Sequence, residues 1–333
     1  MKAMVLEKQA PIESAPLVLR EMKDPEPGEG EVRIRVNACA LCRTDLHVIE
    51  GDLPPIKMPV IPGHQVVGEV DKLGPNCRRL KLGQRIGIAW LRHTDGTCQY
   101  CLRDRENLCP NSLYTGYMAD GGYAEYATVP EEFAYELPEG FSDVEGSPLL
   151  CAGLIGYRAL QRASVPKSGK LLLIGFGSSA HIVIQLALHR GYRVFVVSRA
   201  EKHLKLAREL GAEWAGLSVE GLPEKMDSVI LFAPAGELVP DCMNVLDRGG
   251  ILSIAGIHLS DVPVLNYERH LFYEKEVRSV TANTRQDGRE LLAEAVAAKV
   301  RPHVHTFRLE EANQALLMMK QDGIEGTCVL LVR

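Results

Sequence analysis

Residues Lys170 to Arg190 constrain this chain more than any other stretch of it. Lys170 to Ile174 is a short apolar run. Gly175-Phe176-Gly177-Ser178-Ser179-Ala180 follows at once, and from Ala180 an apolar stretch at helical spacing continues to Arg190. A buried strand that turns on glycines into a helix opens a βαβ unit. Gly-x-Gly-x-x-Gly/Ala arises often by chance, but in this context it points to a dinucleotide. Gly175 permits the tight turn and Gly177 lets the backbone approach a pyrophosphate. The helix start at Ser178, Ser179 and Ala180 then stabilises the negative charge. The bland alternative is an ordinary tight turn in an α/β domain.

The flanking sequence repeats the alternation. Leu149 to Ala163 is apolar at helical spacing. Arg193–Val197, Ser228–Phe232 and Gly250–Ala255 read as buried strands, and Glu201–Leu210 reads as a helix. Strands alternating with helices predict a parallel sheet covered on both faces. The end of the second strand bears on the choice of cofactor. An Asp or Glu there, about 20 residues past the glycines, holds the ribose hydroxyls of NAD. This chain has Ser198-Arg199 instead. No carboxylate repels a 2′-phosphate, and a guanidinium is available to pair with it. The expectation is NADP(H), with NAD(H) as the alternative if Arg199 is merely solvated or stacks on adenine.

The first half has a different texture. Up to about Ala134 it is rich in glycine and proline, with alternating runs at Glu31–Val36, Val66–Val70 and Tyr123–Val129. This reads as a mainly β domain. A chain of 333 residues has room for two cores. The net charge of -5 comes without a long basic run, which argues against nucleic acid. No stretch is long and apolar enough to span a membrane, and the start lacks an apolar signal region. Nine cysteines, odd in number and partly clustered in metal spacing, fit a reducing cytoplasm better than a disulfide framework.

One cluster is Asp95, Cys98, Cys101 and Cys109. Zinc takes four ligands in a tetrahedron, and one carboxylate with three thiolates would close its shell and leave no place for a substrate. His93, two residues before Asp95, is a rival fourth ligand. Cys39, Cys77, Cys242 and Cys328 read as structural.

A second set lies in Cys42-Arg43-Thr44-Asp45-Leu46-His47, Gly63-His64 and Leu150-Cys151-Ala152-Gly153. With the lobe, Asp120-Gly-Gly-Tyr-Ala-Glu125 and the Gly175 turn, these motifs run in a fixed order over essentially the whole length. In them the chain resembles the zinc-dependent alcohol dehydrogenases of the medium-chain dehydrogenase/reductase superfamily, most of all the bacterial and yeast branch that prefers short-chain alcohols. The resemblance implies an α/β protein with a Rossmann doubly wound sheet and a mainly β GroES-like catalytic domain. The expected division is 1–150 catalytic, with a zinc lobe at about 92–112, 151–286 dinucleotide-binding, and 287–333 returning to the first domain.

It further implies two zinc ions. Cys42, His64 and Cys151 hold a catalytic one with an open position, where a bound alcohol loses its proton near neutral pH and passes hydride to the nicotinamide. Thr44 stands for the hydroxyl beside the reacting oxygen. His47 stands for the imidazole that relays the proton to solvent, for which an unperturbed pKa of about 6.5 is suited. Asp45 stands for the carboxylate that orients His64. Asp95 falls where the family has the first thiolate of the structural zinc, and other branches also place an acid in this knot.

Gln65 replaces the usual Glu behind the catalytic zinc. Thr327 replaces an Arg that often meets the pyrophosphate, which leaves more weight on Arg199. Trp90, with Leu91, and Tyr117 fall where relatives line the substrate channel, which points to small primary alcohols and aldehydes. Trp90 as a core aromatic is the equal alternative. A homodimer or homotetramer is expected, with contacts near 262–280. Two rivals remain: a zinc-free quinone or enoyl reductase, which normally lacks the Cys42, His64 and Cys151 set, and a zinc-stabilised nucleotide-binding regulator without turnover.

Overall fold

A computed structural model describes residues 1–256 and 258–333. The chain divides into two compact units. The first comprises residues 1–152, 282–296 and 302–333, and the second comprises 153–281 and 297–301.

The first unit is built around one long strand, Glu31–Ala40, whose alternate residues Val32, Ile34, Val36 and Ala38 are buried. It pairs antiparallel with Gln65–Leu73, Tyr126–Pro130 and the last strand, Thr327–Leu331. The end of the chain therefore completes the sheet begun near its start. Helix α1, Arg43–Glu50, follows the long strand directly and turns its Leu46, Val48 and Ile49 into the core.

The second unit holds six parallel strands: β1 (Lys170–Ile174), β2 (Arg193–Val197), β3 (Trp214–Gly216), β4 (Met226–Leu231), β5 (Leu246–Ile254) and β6 (Glu276–Ser279). Their order is β3-β2-β1-β4-β5-β6. That is the Rossmann order, whose reversal between β1 and β4 opens a ligand crevice at the strands' carboxyl ends. Leu171, Leu172, Leu173 and Val194, Phe195, Val196 are fully buried, as a sheet covered on both faces requires. Helix α2 (Ser178–His189) follows β1 and helix α3 (Glu201–Glu209) follows β2.

Two local expectations change. A continuous helix over 149–163 is not formed. A 3-10 turn at Ser147–Leu150 is followed by a break at Cys151, with φ -144° and ψ -61°, before the helix Ala152–Ala163. Helical periodicity runs through the break because both pieces bury leucines; only the backbone turn separates them. The run Tyr123–Val129 begins as strand at Tyr126, because the backbone before it bonds elsewhere: the Tyr123 N–H donates to Pro62 O, and Tyr123 O accepts the Met4 N–H.

Candidate functional site

Cys42 sits at the junction of the long central strand and α1, where it caps the helix in extended conformation. Asp45, at the third helical position, accepts the Cys42 backbone N–H at 2.9 Å on Oδ2. The same oxygen accepts the Tyr123 hydroxyl at 3.0 Å, while Oδ1 meets His64 Nδ1 at 3.0 Å. Asp45 is 1% exposed, and His64 and Tyr123 are fully buried. One carboxylate thus closes the helix cap and orients the imidazole. Because it can only accept, the proton sits on Nδ1 and Nε2 is turned away from it.

That Nε2 is buried and has no hydrogen-bond partner among the described residues. It shares its space with the Cys42 and Cys151 sulfurs, which stand 3.8 Å apart; the three ligand atoms all lie within 4.8 Å of one another. The break at Cys151 is what brings the second thiol there. The hydrogen bond from Cys151, against the effect of burial and with help from His64, holds the Cys42 thiol well below its ordinary pKa. The same bond, together with burial, pushes the Cys151 thiol up. Burial alone would lower the His64 pKa, but the Asp45 charge and hydrogen bond, with Cys42, raise it to about 10. Two sulfurs and an orphaned, buried imidazole nitrogen fit a soft divalent cation, whose binding releases the protons held there.

The neighbours named from sequence gather here. Thr44 is 4% exposed, and its hydroxyl stands 3.5 Å from the Cys42 sulfur. His47, one turn along α1, pairs through Nδ1 with Asp52 Oδ2 at 2.6 Å. Gln65 is fully buried; its Oε1 accepts the Ala152 N–H at 3.2 Å, and its Nε2 has no partner among the described residues. Trp90 presents its ring to His64 edge-on at 5.0 Å and stacks on Tyr114 and Tyr117 at 4.9 and 6.0 Å. The Tyr117 hydroxyl donates to Pro54 O at 2.8 Å. Thr327 lies buried at the head of the last strand, its N–H bonded to His303 O.

Tyr123 and Asp52 are site residues that sequence reasoning passed over. Tyr123 carried a signal, since it ends Asp120-Gly-Gly-Tyr. Asp52 lies in the proline-rich loop after α1 and carried none.

In the lobe, Asp95, Cys98, Cys101 and Cys109 also place their ligand atoms within 4.8 Å of one another. Asp95 Oδ1 accepts the Thr97 and Cys98 N–H groups at 2.9 Å each, and Oδ2 accepts Asn111 Nδ2 at 2.8 Å. Those donors hold its carboxyl well below the usual range, with the Cys98 N–H the largest cause. His93 points elsewhere, with its ring 6.3 Å from that of Phe133.

A salt bridge ties the lobe to the segment that re-enters the first unit. Glu106 accepts the Arg285 N–H at 2.7 Å and its Nη2 at 2.6 Å. Burial raises the Glu106 pKa, but the Arg285 bonds outweigh it and leave the carboxyl below its ordinary value. A depressed carboxyl contributes stability above its unfolded pKa of about 4.3 and loses it as pH falls through the folded value. Arg285→Ala should therefore cost about 2 kcal/mol at pH 7. Thermal melts at descending pH should show the gap to the parent narrowing below about pH 4.

In the second unit Gly175 turns with φ +87°, and a Cβ there would stand 2.9 Å from Ala233 N just beyond β4. The glycine is needed by the fold itself. At Gly177 a Cβ would meet nothing of the protein. The open space before the α2 N-terminus is what a pyrophosphate needs. Past the end of β2, Ser198 is 6% exposed and its hydroxyl lies 3.2 Å from His203 Nδ1, while Arg199 is exposed.

Comparison with known proteins agrees with this architecture. Residues 28–139 match the family model of the alcohol dehydrogenase GroES-like domain, and residues 180–297 match that of the zinc-binding dehydrogenases. The probable alcohol dehydrogenase AdhA of Mycobacterium tuberculosis (strain CDC 1551 / Oshkosh) is 48% identical over 337 residues, covering 100% of this chain and 97% of its own. The cobalt- and zinc-bound thermostable alcohol dehydrogenase of Pyrobaculum aerophilum superposes with a TM-score of 0.90 at 25% identity, with 99% of each chain covered. A putative zinc-binding dehydrogenase of Sinorhizobium meliloti 1021, bound to NADP, gives 0.88 at 26% identity, covering 99% of this chain and 98% of its own. With a relative so similar over its full length, the chain belongs to the zinc-type alcohol dehydrogenases of the medium-chain dehydrogenase/reductase superfamily, and is an oxidoreductase.

Proposed function

We propose that this dehydrogenase interconverts small primary alcohols and their aldehydes with NADP(H), using one zinc ion for chemistry and a second for structure. The observation that carries the reading is the orphaned His64 Nε2 beside the Cys42 and Cys151 sulfurs. Cys42, His64 and Cys151 hold the catalytic ion, and Asp95, Cys98, Cys101 and Cys109 hold the structural one. When bound, zinc supplies Lewis acidity towards an alcohol or carbonyl oxygen, and the nicotinamide accepts or supplies hydride.

The chain's own residues do the rest. Asp45 keeps the His64 proton on Nδ1. The Thr44 hydroxyl, beside Cys42, takes the proton of the substrate hydroxyl and passes it on. His47, backed by Asp52, receives it on the way to solvent. Trp90, edge-on to His64 and stacked on Tyr117, narrows the approach to the metal and favours short substrates. A panel of alcohols and aldehydes tests this: kcat/KM should fall as the substrate chain branches or gains a ring. A preference for bulky aryl alcohols would overturn the small-substrate reading, and fewer than two zinc ions per chain would overturn the two-site assignment.

The choice of NADP rests on Ser198-Arg199, and the NADP-bound Sinorhizobium relative supports it. Glu201, the nearest carboxylate downstream, is engaged by Arg208 at 2.8 Å. Arg199→Ala should cost about tenfold or more in kcat/KM for NADP and little for NAD, the worth of one charge-assisted phosphate contact. A parent enzyme that uses NAD several-fold better would sink the assignment.

We also propose a homodimer or homotetramer. The edge strand β6 has its outer side unpaired among the described residues and exposes Val277, with Tyr267, Phe272 and Tyr273 exposed in the preceding segment. Such an edge is normally covered. Sedimentation tests it, and a monomer would refute it.

No helix of the described residues is long and apolar enough to cross a membrane.

A further inference from the structure

We infer that His203 is a positioning residue for cofactor choice: it sets the direction of the Ser198 hydroxyl and so determines what that hydroxyl offers a 2′-phosphate. The inference rests on the NADP reading above and deepens it.

The geometry is local and fixed. Ser198 immediately follows β2, and His203 lies five residues on, in the first turn of α3. Ser198 Oγ and His203 Nδ1 stand 3.2 Å apart, and the two residues are 6% and 7% exposed. The Ser198 backbone N–H is already given to Gly216 O at 3.2 Å. Ser198 therefore has only its hydroxyl to donate to a ligand. Arg199, exposed beside it, brings donors alone.

A hydroxyl has one proton and two lone pairs. If His203 Nδ1 accepts, the Ser198 proton is spent on the imidazole and only lone pairs face outward. Lone pairs suit a ribose 2′-hydroxyl, which can donate, and repel a 2′-phosphate, which can only accept. If His203 Nδ1–H donates, Ser198 Oγ has its lone pair filled and its proton free. That proton can then be given to a phosphate oxygen in a charge-assisted bond. The phosphate charge itself favours the second arrangement, and an imidazole nitrogen can supply either. With Arg199 on the open side and Ser198 on the buried side, the phosphate is held from two directions. His203 touches no cofactor atom in this scheme; it acts through Ser198.

The test separates this from a structural role. Adenosine 2′,5′-bisphosphate and 5′-AMP differ only in the 2′-phosphate, and their binding to the purified full-length protein can be measured by calorimetry. His203→Leu fills the site without a donor. It should weaken the bisphosphate about tenfold or more, the loss of one hydrogen bond to a charged group, while 5′-AMP changes by less than about threefold. His203→Asn carries an amide nitrogen on Cγ, as Nδ1 is carried, and should restore most of the bisphosphate affinity. Equal weakening of both ligands in His203→Leu, no weakening of either, or no rescue by His203→Asn would overturn the role of His203 and leave the NADP reading standing. If the parent protein itself binds the bisphosphate no better than 5′-AMP, both the NADP reading and this inference fall.

Discussion

Asp45→Asn should lower the affinity of the proposed Cys42–His64–Cys151 site for zinc about 10- to 100-fold, although the side chain keeps its size and is not one of the three proposed ligands. Three donors converge on the Asp45 carboxylate: the Cys42 N–H, the Tyr123 hydroxyl and His64 Nδ1. Asparagine offers one acceptor oxygen and turns an NH2 group against at least one of those donors. Asp45, His64 and Tyr123 are all buried, which makes a mismatched donor costly. The imidazole loses the charge that fixes its tautomer and raises its basicity, and Nε2 becomes a weaker ligand. The buried donor left unmatched adds about 1–3 kcal/mol of destabilisation. Zinc content after dialysis against a graded chelator, measured beside kcat/KM, reads the effect directly. Retention equal to the parent's would mean that the Asp45–His64 bond does not tune the metal site.

Gly63→Ala should be a costly single methyl group for the first unit. Gly63 has φ +94°, and a Cβ there would lie 2.4 Å from the Tyr123 ring and 2.9 Å from the Cys39 sulfur. The left-handed conformation costs an L-residue about 1–2 kcal/mol, and overpacking a rigid core adds about 1–3. A loss of roughly 2–5 kcal/mol in urea unfolding is expected. Displacing Tyr123 would also weaken its bond to Asp45, so zinc retention should fall with stability. Gly177→Ala is the contrast. Its Cβ would meet no protein atom, and the backbone there has negative φ. Stability should hold within about 0.5 kcal/mol while cofactor affinity drops. If Gly63→Ala unfolded at the parent's urea concentration, the close approach of Tyr123 would not be a constraint on the fold.

These two glycines show where the sequence was legible and where it was not. Gly175 and Gly177 sit in a motif whose chemistry depends on adjacent residues, a strand end, a turn and a helix start, so local spacing reveals it. The lobe is equally local: Asp95 to Cys109 is one loop, and its four ligand atoms do meet. Gly63 and Tyr123 are sixty residues apart in the chain and touch only because two loops bond to each other: the Gly121, Gly122 and Tyr123 N–H groups donate to Ile61, Gly63 and Pro62 O. No spacing rule covers such a pair.

Helical periodicity likewise ran through Cys151 without showing the break there. Apolar spacing reports which faces are buried, not whether the backbone continues as one helix. His203 read as an ordinary helix residue until the turn past β2 set its Nδ1 against the Ser198 hydroxyl.

By itself the sequence determined the two-part architecture, the glycine turn, the basic end of β2 and the clustering of Asp95, Cys98, Cys101 and Cys109, because each depends on residues close together in the chain. Only the tertiary structure decided which groups the buried carboxylate of Asp45 serves, where Trp90 stands against His64, which of His93 and Asp95 joins the lobe thiols, and what holds Ser198. The first two are contacts between distant segments, which long-range packing fixes; the last two join residues close in the chain but depend on side-chain directions that spacing does not set. Hydrogen-bond direction in a buried interior then gives the polar contacts their chemistry.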